Sequence, residues 1–182
     1  MRVIAGKYKS RQLKSVKSNA TRPTTDRNKE NMFNIIGPYF QGGNVLDLFA
    51  GSGGLGIEAL SRGCEYLYSV DNRYAAFQVI KENIALLKIE DAKVYKLDYR
   101  KALKKFSEEK IKFDLVLLDP PYGKGLIDDI LAFLINNEML NDGCIIMVEE
   151  LKEVAFETFE QLILIKRNDY GITALNVFEY QG

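Results

Sequence analysis

Asp119-Pro120-Pro121-Tyr122 follows directly on the apolar run Phe113-Asp114-Leu115-Val116-Leu117-Leu118. Two prolines bar further sheet or helix and fix the backbone at the carboxyl end of a strand. Pro121 has no N–H, so the neighbouring carbonyls have no adjacent donor to neutralise them. The Asp119 carboxylate and the Pro120 carbonyl can then accept both hydrogens of an exocyclic amine. Such a nitrogen delocalises its lone pair into its ring, and holding both N–H bonds helps to pyramidalise it and free the lone pair for attack. Tyr122 offers a flat face on which a base can stack.

A second group lies upstream. Val45, Leu46, Leu48 and Phe49 form an apolar run of strand length, followed by Gly51, Gly53, Gly54 and Gly56. A strand, a tight glycine turn and a helix N-terminus form the place where an α/β sheet binds a ligand. Gly51-x-Gly53-x-x-Gly56, with Asp71 twenty residues after Gly51, also matches the dinucleotide fingerprint. Asp47 argues for a different ligand. A carboxylate inside a buried strand is costly to desolvate without partners. The sulfonium and ammonium of S-adenosylmethionine, or the amides of the glycine turn, would supply them. The pattern Asp47-x-Phe49-x-Gly51-x-Gly53 resembles motif I of class I methyltransferases. That resemblance implies S-adenosylmethionine held by Asp47, Phe49, Gly51, Ser52, Gly53, Asp71, Asn72 and Asp98. Asp71, at the end of the second strand, can accept both ribose hydroxyls. Asp98 takes the position of an adenine contact, although an Asp after a strand is also a common helix cap.

The elements that position these residues alternate. Strands are predicted over 44–49, 66–70, 93–97, 113–118 and 143–148. A helix from the glycine turn to about Gly63, another with Phe77, Ile80, Ile84 and Leu87 on one face, one around 99–106, and one carrying Ile127, Ile130, Leu131 and Leu134 separate them. This alternation implies a parallel, doubly wound α/β sheet. Two more strands, 161–166 and 172–180, flank a turn at Asn168-Asp169-Tyr170-Gly171 and form a hairpin. A seven-stranded, mostly parallel sheet ending in an antiparallel hairpin is the Rossmann-like class I methyltransferase arrangement. Before it, residues 2–5 and 12–16 suggest a small basic β-hairpin, and a helix capped by Thr24 or Thr25 runs from about Asp26 to Tyr39. Residues 1–40 then form a basic appendage, and 41–182 the methyltransferase domain.

Charge divides along the same line. Residues 1–30 carry nine Lys or Arg against two acids, a net +7, and the remainder carries 16 basic against 23 acidic residues, a net −7. A basic arm on an acidic body suggests nucleic acid or another polyanion at that end. The two cysteines, without any histidine, cannot complete a four-ligand zinc site and read as buried thiols, so no metal is expected. Without histidine, catalysis must rest on carboxylates, backbone groups and positioning. No apolar run approaches the roughly 18 residues of a membrane span, and no signal peptide opens the chain, so a cytoplasmic protein is expected.

Asn19–Asn34, containing Thr21-Arg22-Pro23-Thr24, together with Arg2-Val-Ile-Ala-Gly6, Glu58-Ala-Leu-Ser-Arg-Gly63 and the two motifs above, resembles the bacterial 16S rRNA guanine-N2 methyltransferase family over essentially the whole chain. The resemblance implies 16S rRNA as partner, free or within an assembling small ribosomal subunit. It makes Asp119, Pro120, Pro121 and Tyr122 the catalytic group and puts Arg11, Arg22, Thr24 and Arg27 on the RNA. Three other activities share parts of the pattern: methylation of adenine amino groups in RNA or DNA, an NAD-binding oxidoreductase, and a non-catalytic RNA-binding module.

Overall fold

The computed structural model describes residues 1–17 and 24–182, so the expected RNA contact at Arg22 lies outside the described residues. The strands are β1 (Asn44–Asp47), β2 (Tyr66–Val70), β3 (Ala92–Tyr95), β4 (Phe113–Leu118), β5 (Leu140–Leu151), β6 (Leu162–Tyr170) and β7 (Thr173–Tyr180). They form one sheet in the order β3-β2-β1-β4-β5-β7-β6. The first five run parallel, and β7 joins β5 and β6 antiparallel. The expected architecture is therefore present.

Alternation along the strands gives the sheet two apolar faces. Val45, Leu67, Leu115, Leu117 and Met147 face one cluster with α1 (Asp26–Ile36) and α2 (Gly54–Ser61). Leu46, Val70, Val116, Leu118 and Ile146 face the other, under α4 (Tyr99–Glu108) and α5 (Ile127–Asn136). Crossover helices begin at the carboxyl edge of the strands, which places the glycine turn and the Asp-Pro-Pro-Tyr segment on that edge together.

Several boundaries differ from expectation: β3 ends at Tyr95 rather than 97, and β5 extends over Leu140–Leu151 rather than 143–148. β1 ends at Asp47 because the chain already turns at Leu48 and Phe49 toward the glycines. α1 stops at Ile36, where Gly37 and Pro38 cannot continue it. Asn168, Asp169 and Tyr170 belong to β6, leaving a two-residue connection whose first residue, Gly171, has φ +61°. That connection is the tight kind that matches strand twist. The buried face of α3 (Tyr74–Leu86) is also rotated. It carries Ala76, Ile80 and Asn83, with Phe77 and Ile84 half-exposed.

The N-terminal hairpin is reduced to one antiparallel bridge, Arg2 to Gln12, flanked by Val3 N–H to Arg11 O at 3.0 Å and Leu13 N–H to Met1 O at 2.9 Å. This ribbon packs down against α2. Gly6, at φ +85°, lies so close to Ser61 that a Cβ would fall 1.8 Å from its carbonyl oxygen. Its attachment centres on Glu58, which is fully buried in α2. Glu58 accepts from Ile4 N–H at 2.9 Å, Ala5 N–H at 3.1 Å and Arg62 Nε at 2.9 Å, and pairs with Lys29 Nζ at 3.2 Å. Val3, Leu13, Met32 and Phe33 complete the contact as part of the same apolar cluster as the sheet.

Glu58→Ala would leave two buried cations and two amides without their acceptor. The expected loss is about 3–5 kcal/mol, measurable by urea denaturation. A loss under about 1 kcal/mol would show that water takes over these donors.

Candidate active site

Parallel register aligns Asp47 with Leu117, and Leu117 with Met147. Two residues beyond Leu117, Asp119 therefore continues that face at the carboxyl edge, while Phe49, past the end of β1, packs against the other apolar cluster. Two adjoining cavities open there. The larger, about 520 Å³, is bounded by Asp71 and Asn72, by Leu97, Asp98 and Tyr99, and by Asp119–Tyr122. The smaller, about 140 Å³, runs along Gly51 and Ser52 to Met1, Val16, Thr24 and Lys29. Phe49, Arg73 and Asp119 line both cavities. Asp119 thus stands at their junction.

The glycine turn is braced from behind. Asp47 is buried and accepts the Gly56 N–H at 3.0 Å. A Cβ on Gly56 would lie 2.6 Å from Leu67 and 3.1 Å from that carboxylate, so glycine is required for the strand and helix to approach. Gly53, at φ +83°, turns the chain into α2. One amide does not repay full burial, so Asp47 is pushed up to about 7, with burial the main cause and the Asp71 charge adding to it. Of the two partners the sequence allowed it, Asp47 has one, the amide.

Asp71 faces the larger cavity, already engaged. It accepts Gly51 N–H at 2.9 Å and Arg73 N–H at 2.9 Å, and the Arg73 guanidinium lies over both its oxygens at 3.1 Å. Asp98 does two things, capping α4 through Arg100 N–H at 2.9 Å and lining the cavity. Across the cavity, Phe49 and Tyr99 have ring centroids 5.5 Å apart, an apolar wall suited to a flat ring.

Asp119 is pushed well above the usual carboxylate range, first by burial and then by the charges of Glu149, Asp47 and Glu150. Tyr122 donates its hydroxyl to Glu149 at 2.8 Å, and the Gly123 N–H reaches Glu150 at 3.0 Å. The segment after the prolines is therefore fastened to the end of β5. Burial, and then the Asp119 charge, raise the Tyr122 phenol, which stays protonated.

The expected RNA residues separate. Thr24 lines the smaller cavity, and Arg27 is exposed one residue into α1. Arg11 is elsewhere. Its guanidinium caps the Leu86 carbonyl at 3.2 Å, at the end of α3 that lies on the opposite edge of the sheet. From there residues 11–16 climb α3 to the glycine turn. Asn83, fully buried, bonds both ways with Lys14 and donates to Ser52 O at 3.0 Å, while Val16 N–H reaches Ser52 Oγ at 2.9 Å. The sequence hint for Asn83 was a polar residue within an apolar helix face. Arg73, Glu149 and Glu150 carried no spacing that marked them.

With this geometry in view, comparison with known proteins is consistent along the whole chain. A family model described as conserved hypothetical protein 95 matches residues 1–179. Bacillus subtilis YlbH is 43% identical over 184 residues, covering 100% of both chains. Ribosomal RNA small subunit methyltransferase D of Haemophilus influenzae is 34% identical over 181 residues, covering 98% of this chain and 93% of its own. The solved structure of Escherichia coli yhhF superposes with a TM-score of 0.86 at 30% identity, over 100% of this chain and 98% of that one.

The raised Asp47 carboxyl sets a pH dependence. In the folded protein it keeps a proton between about pH 4 and 7, where the unfolded chain has released it. Folding stability from this residue therefore falls as pH rises through that window. Relative to Asp47→Asn, the wild type should lose on the order of 2–4 kcal/mol between those limits, read from urea transitions at successive pH values. A difference that stays constant would place the charge of Asp47 in a better-solvated setting.

Proposed function

The chain belongs to the family of ribosomal RNA small subunit methyltransferase D, and from that premise we propose that it methylates the exocyclic N2 amine of a guanine in 16S rRNA, with S-adenosylmethionine as donor. The observation that carries this reading is Asp119 at the junction of the two cavities, followed by two prolines and an anchored tyrosine. Methyltransferase relatives imply S-adenosylmethionine, and the residues fit it. Asp71 would accept the ribose hydroxyls, with Arg73 moving aside. Leu97, Asp98 and Tyr99 offer an adenine slot, and Gly51 and Ser52 border the smaller cavity for the amino-acid end. A positive ligand beside Asp47 and Asp119 would also relieve carboxylates that burial now keeps from ionising.

When bound, S-adenosylmethionine supplies an electrophilic methyl on a sulfonium. Asp119 and the Pro120 carbonyl hold the amine by its two hydrogens and aim its lone pair, a matter of approach geometry that needs no histidine. As positive charge grows on that nitrogen, the Asp119 carboxylate stabilises it. The surplus proton can then pass to Asp119, whose raised proton affinity suits it as acceptor. Tyr122 supplies the stacking face. The base must leave its helix or lie in a loop to enter. Thr24, on the smaller cavity, and the exposed Arg27 would contact RNA from residues 1–40, Arg22 joins them on the sequence alone, and the body 41–182 would carry the chemistry. An rRNA substrate agrees with a cytoplasmic enzyme; among the described residues no helix is long and apolar enough to cross a membrane.

The test is transfer of labelled methyl to 16S rRNA, free and in small subunits, followed by mass identification of the nucleoside. N2-methylguanosine is the expected product, and N6-methyladenosine would replace this reading with the adenine one. Asp119→Asn should slow single-turnover transfer about 100- to 1000-fold with donor affinity nearly unchanged. Wild-type transfer by a folded Asp119→Asn protein would remove Asp119 from the reacting group.

A further inference from the structure

Glu149 is placed beside the reacting position, and the chemistry described so far gives it no task there. β4 and β5 pair Leu118 with Val148, so the next residues, Asp119 and Glu149, are neighbours across the carboxyl edge. Parallel strands lie about 4.8 Å apart, and residues in register share a face. The two carboxylates therefore sit on adjacent strands at one edge, where the Glu149 charge acts on Asp119 and Glu149 adjoins the cavity wall through Tyr122. Glu149 is half-exposed, and its Oε1 accepts the Tyr122 hydroxyl at 2.8 Å. Among the described residues, no group donates to its Oε2. Glu150 is buried and alternates to the other side, its Oε1 accepting the N–H groups of both Gly123 and Leu151. Glu150 thus fastens the segment, while Glu149 holds the tyrosine hydroxyl and keeps one oxygen for something else.

Resting on the guanine-N2 reading above, we propose that Glu149 is the specificity-determining acceptor for the guanine N1–H. On the Watson–Crick edge of guanine the N1–H adjoins the N2 amine, so two donor groups stand side by side. Asp119 and the Pro120 carbonyl take the amine, and Glu149, one methylene longer and one strand over, takes the neighbouring hydrogen. An ionised carboxylate only accepts. Adenine presents a lone pair at N1, and two acceptors facing each other in a partly buried site repel. The Asp-Pro-Pro-Tyr segment alone serves any exocyclic amine; the carboxylate on β5 would select among bases. Because Glu149 also holds the Tyr122 hydroxyl, base stacking and edge recognition share one side chain.

The experiment uses a base that separates these roles. 2,6-Diaminopurine keeps the N2 amine of guanine and replaces its N1–H with a lone pair. It is placed in 16S rRNA at the guanine where wild-type enzyme is shown to methylate. Wild-type enzyme should transfer methyl to guanine about 10- to 100-fold faster than to diaminopurine, as expected for loss of a charge-assisted hydrogen bond. Glu149→Gln still accepts from Tyr122 and can donate its amide N–H to the lone pair. It should be slower by a similar factor on guanine and faster than wild type on diaminopurine, with unchanged S-adenosylmethionine affinity. Equal wild-type rates on the two bases would overturn the proposal without recourse to any variant. Equal proportional losses on both bases in Glu149→Gln would reduce Glu149 to a support for Tyr122. Failure of wild-type enzyme to make N2-methylguanine at all would instead overturn the guanine-N2 reading, and is visible in the first arm.

Discussion

Glu58 has no contact with solvent, yet it joins three segments that are far apart in sequence. An isolated carboxylate so placed would cost several kcal/mol. It is tolerated because Lys29 comes from α1, Arg62 from the end of α2, and two amides from the ribbon at Ile4 and Ala5. Burial lowers the proton affinity of Lys29, and the Glu58 charge opposes that effect. Arg62 spreads its own charge further, over the Phe33 ring at 4.9 Å and onto the Pro38 carbonyl at 3.1 Å. Met1, Thr24 and Lys29 belong to the wall of the smaller cavity. That wall depends on this one ion cluster, although the cluster takes no part in the chemistry.

α2 is consequently fixed at both ends. Asp47 holds its first turn through Gly56, and Glu58 holds its last through Arg62. Helix position in turn sets the glycine turn, and Asn83 ties that turn to the climbing segment 14–16. The carboxyl edge of the sheet can then gather Asp47, Asp71, Asp119 and Glu149 with little backbone freedom. After burial, the main cause, this concentration of acid adds to the raising of the Asp47 and Asp119 carboxyls. It favours a ligand that brings positive charge and many donors.

Much of this was legible in the residues. The strand–glycine–helix turn, the alternation of elements, the closing hairpin and the Asp-Pro-Pro-Tyr segment each depend on local patterns with period or spacing, and each is present. What was not legible depends on tertiary packing. Glu58 and Arg62 stand four residues apart with nothing local to mark them as buried, and the ribbon and α1 cover them. Arg11 belonged by charge to the RNA-facing arm, but the ribbon's path carries it to the far end of α3. Arg73 has no motif around it, and its role over Asp71 follows from the turn after β2. Phe77 and Ile84 were marked by apolar type, whereas Asn83, at helical spacing from Ile80 and Leu87, is polar. Hydrogen bonding to a segment seventy residues away decided which face turned inward.

The strand order carries a consequence for biosynthesis. The chain is made in the order β5, β6, β7, but the sheet places β7 between the other two. As it leaves the ribosome, β6 has no edge to join until β7 follows. Ile163, Leu164 and Ile165, exposed even in the finished fold, would meanwhile form a short, unpaired apolar segment, the kind that attracts chaperones or sticks to other nascent chains. The two-residue link at Gly171 shortens that interval, since a tight hairpin closes within about 1–10 μs. Its bulge near Ile165 and the flanking Lys166 and Arg167 then discourage further strand addition along the open edge.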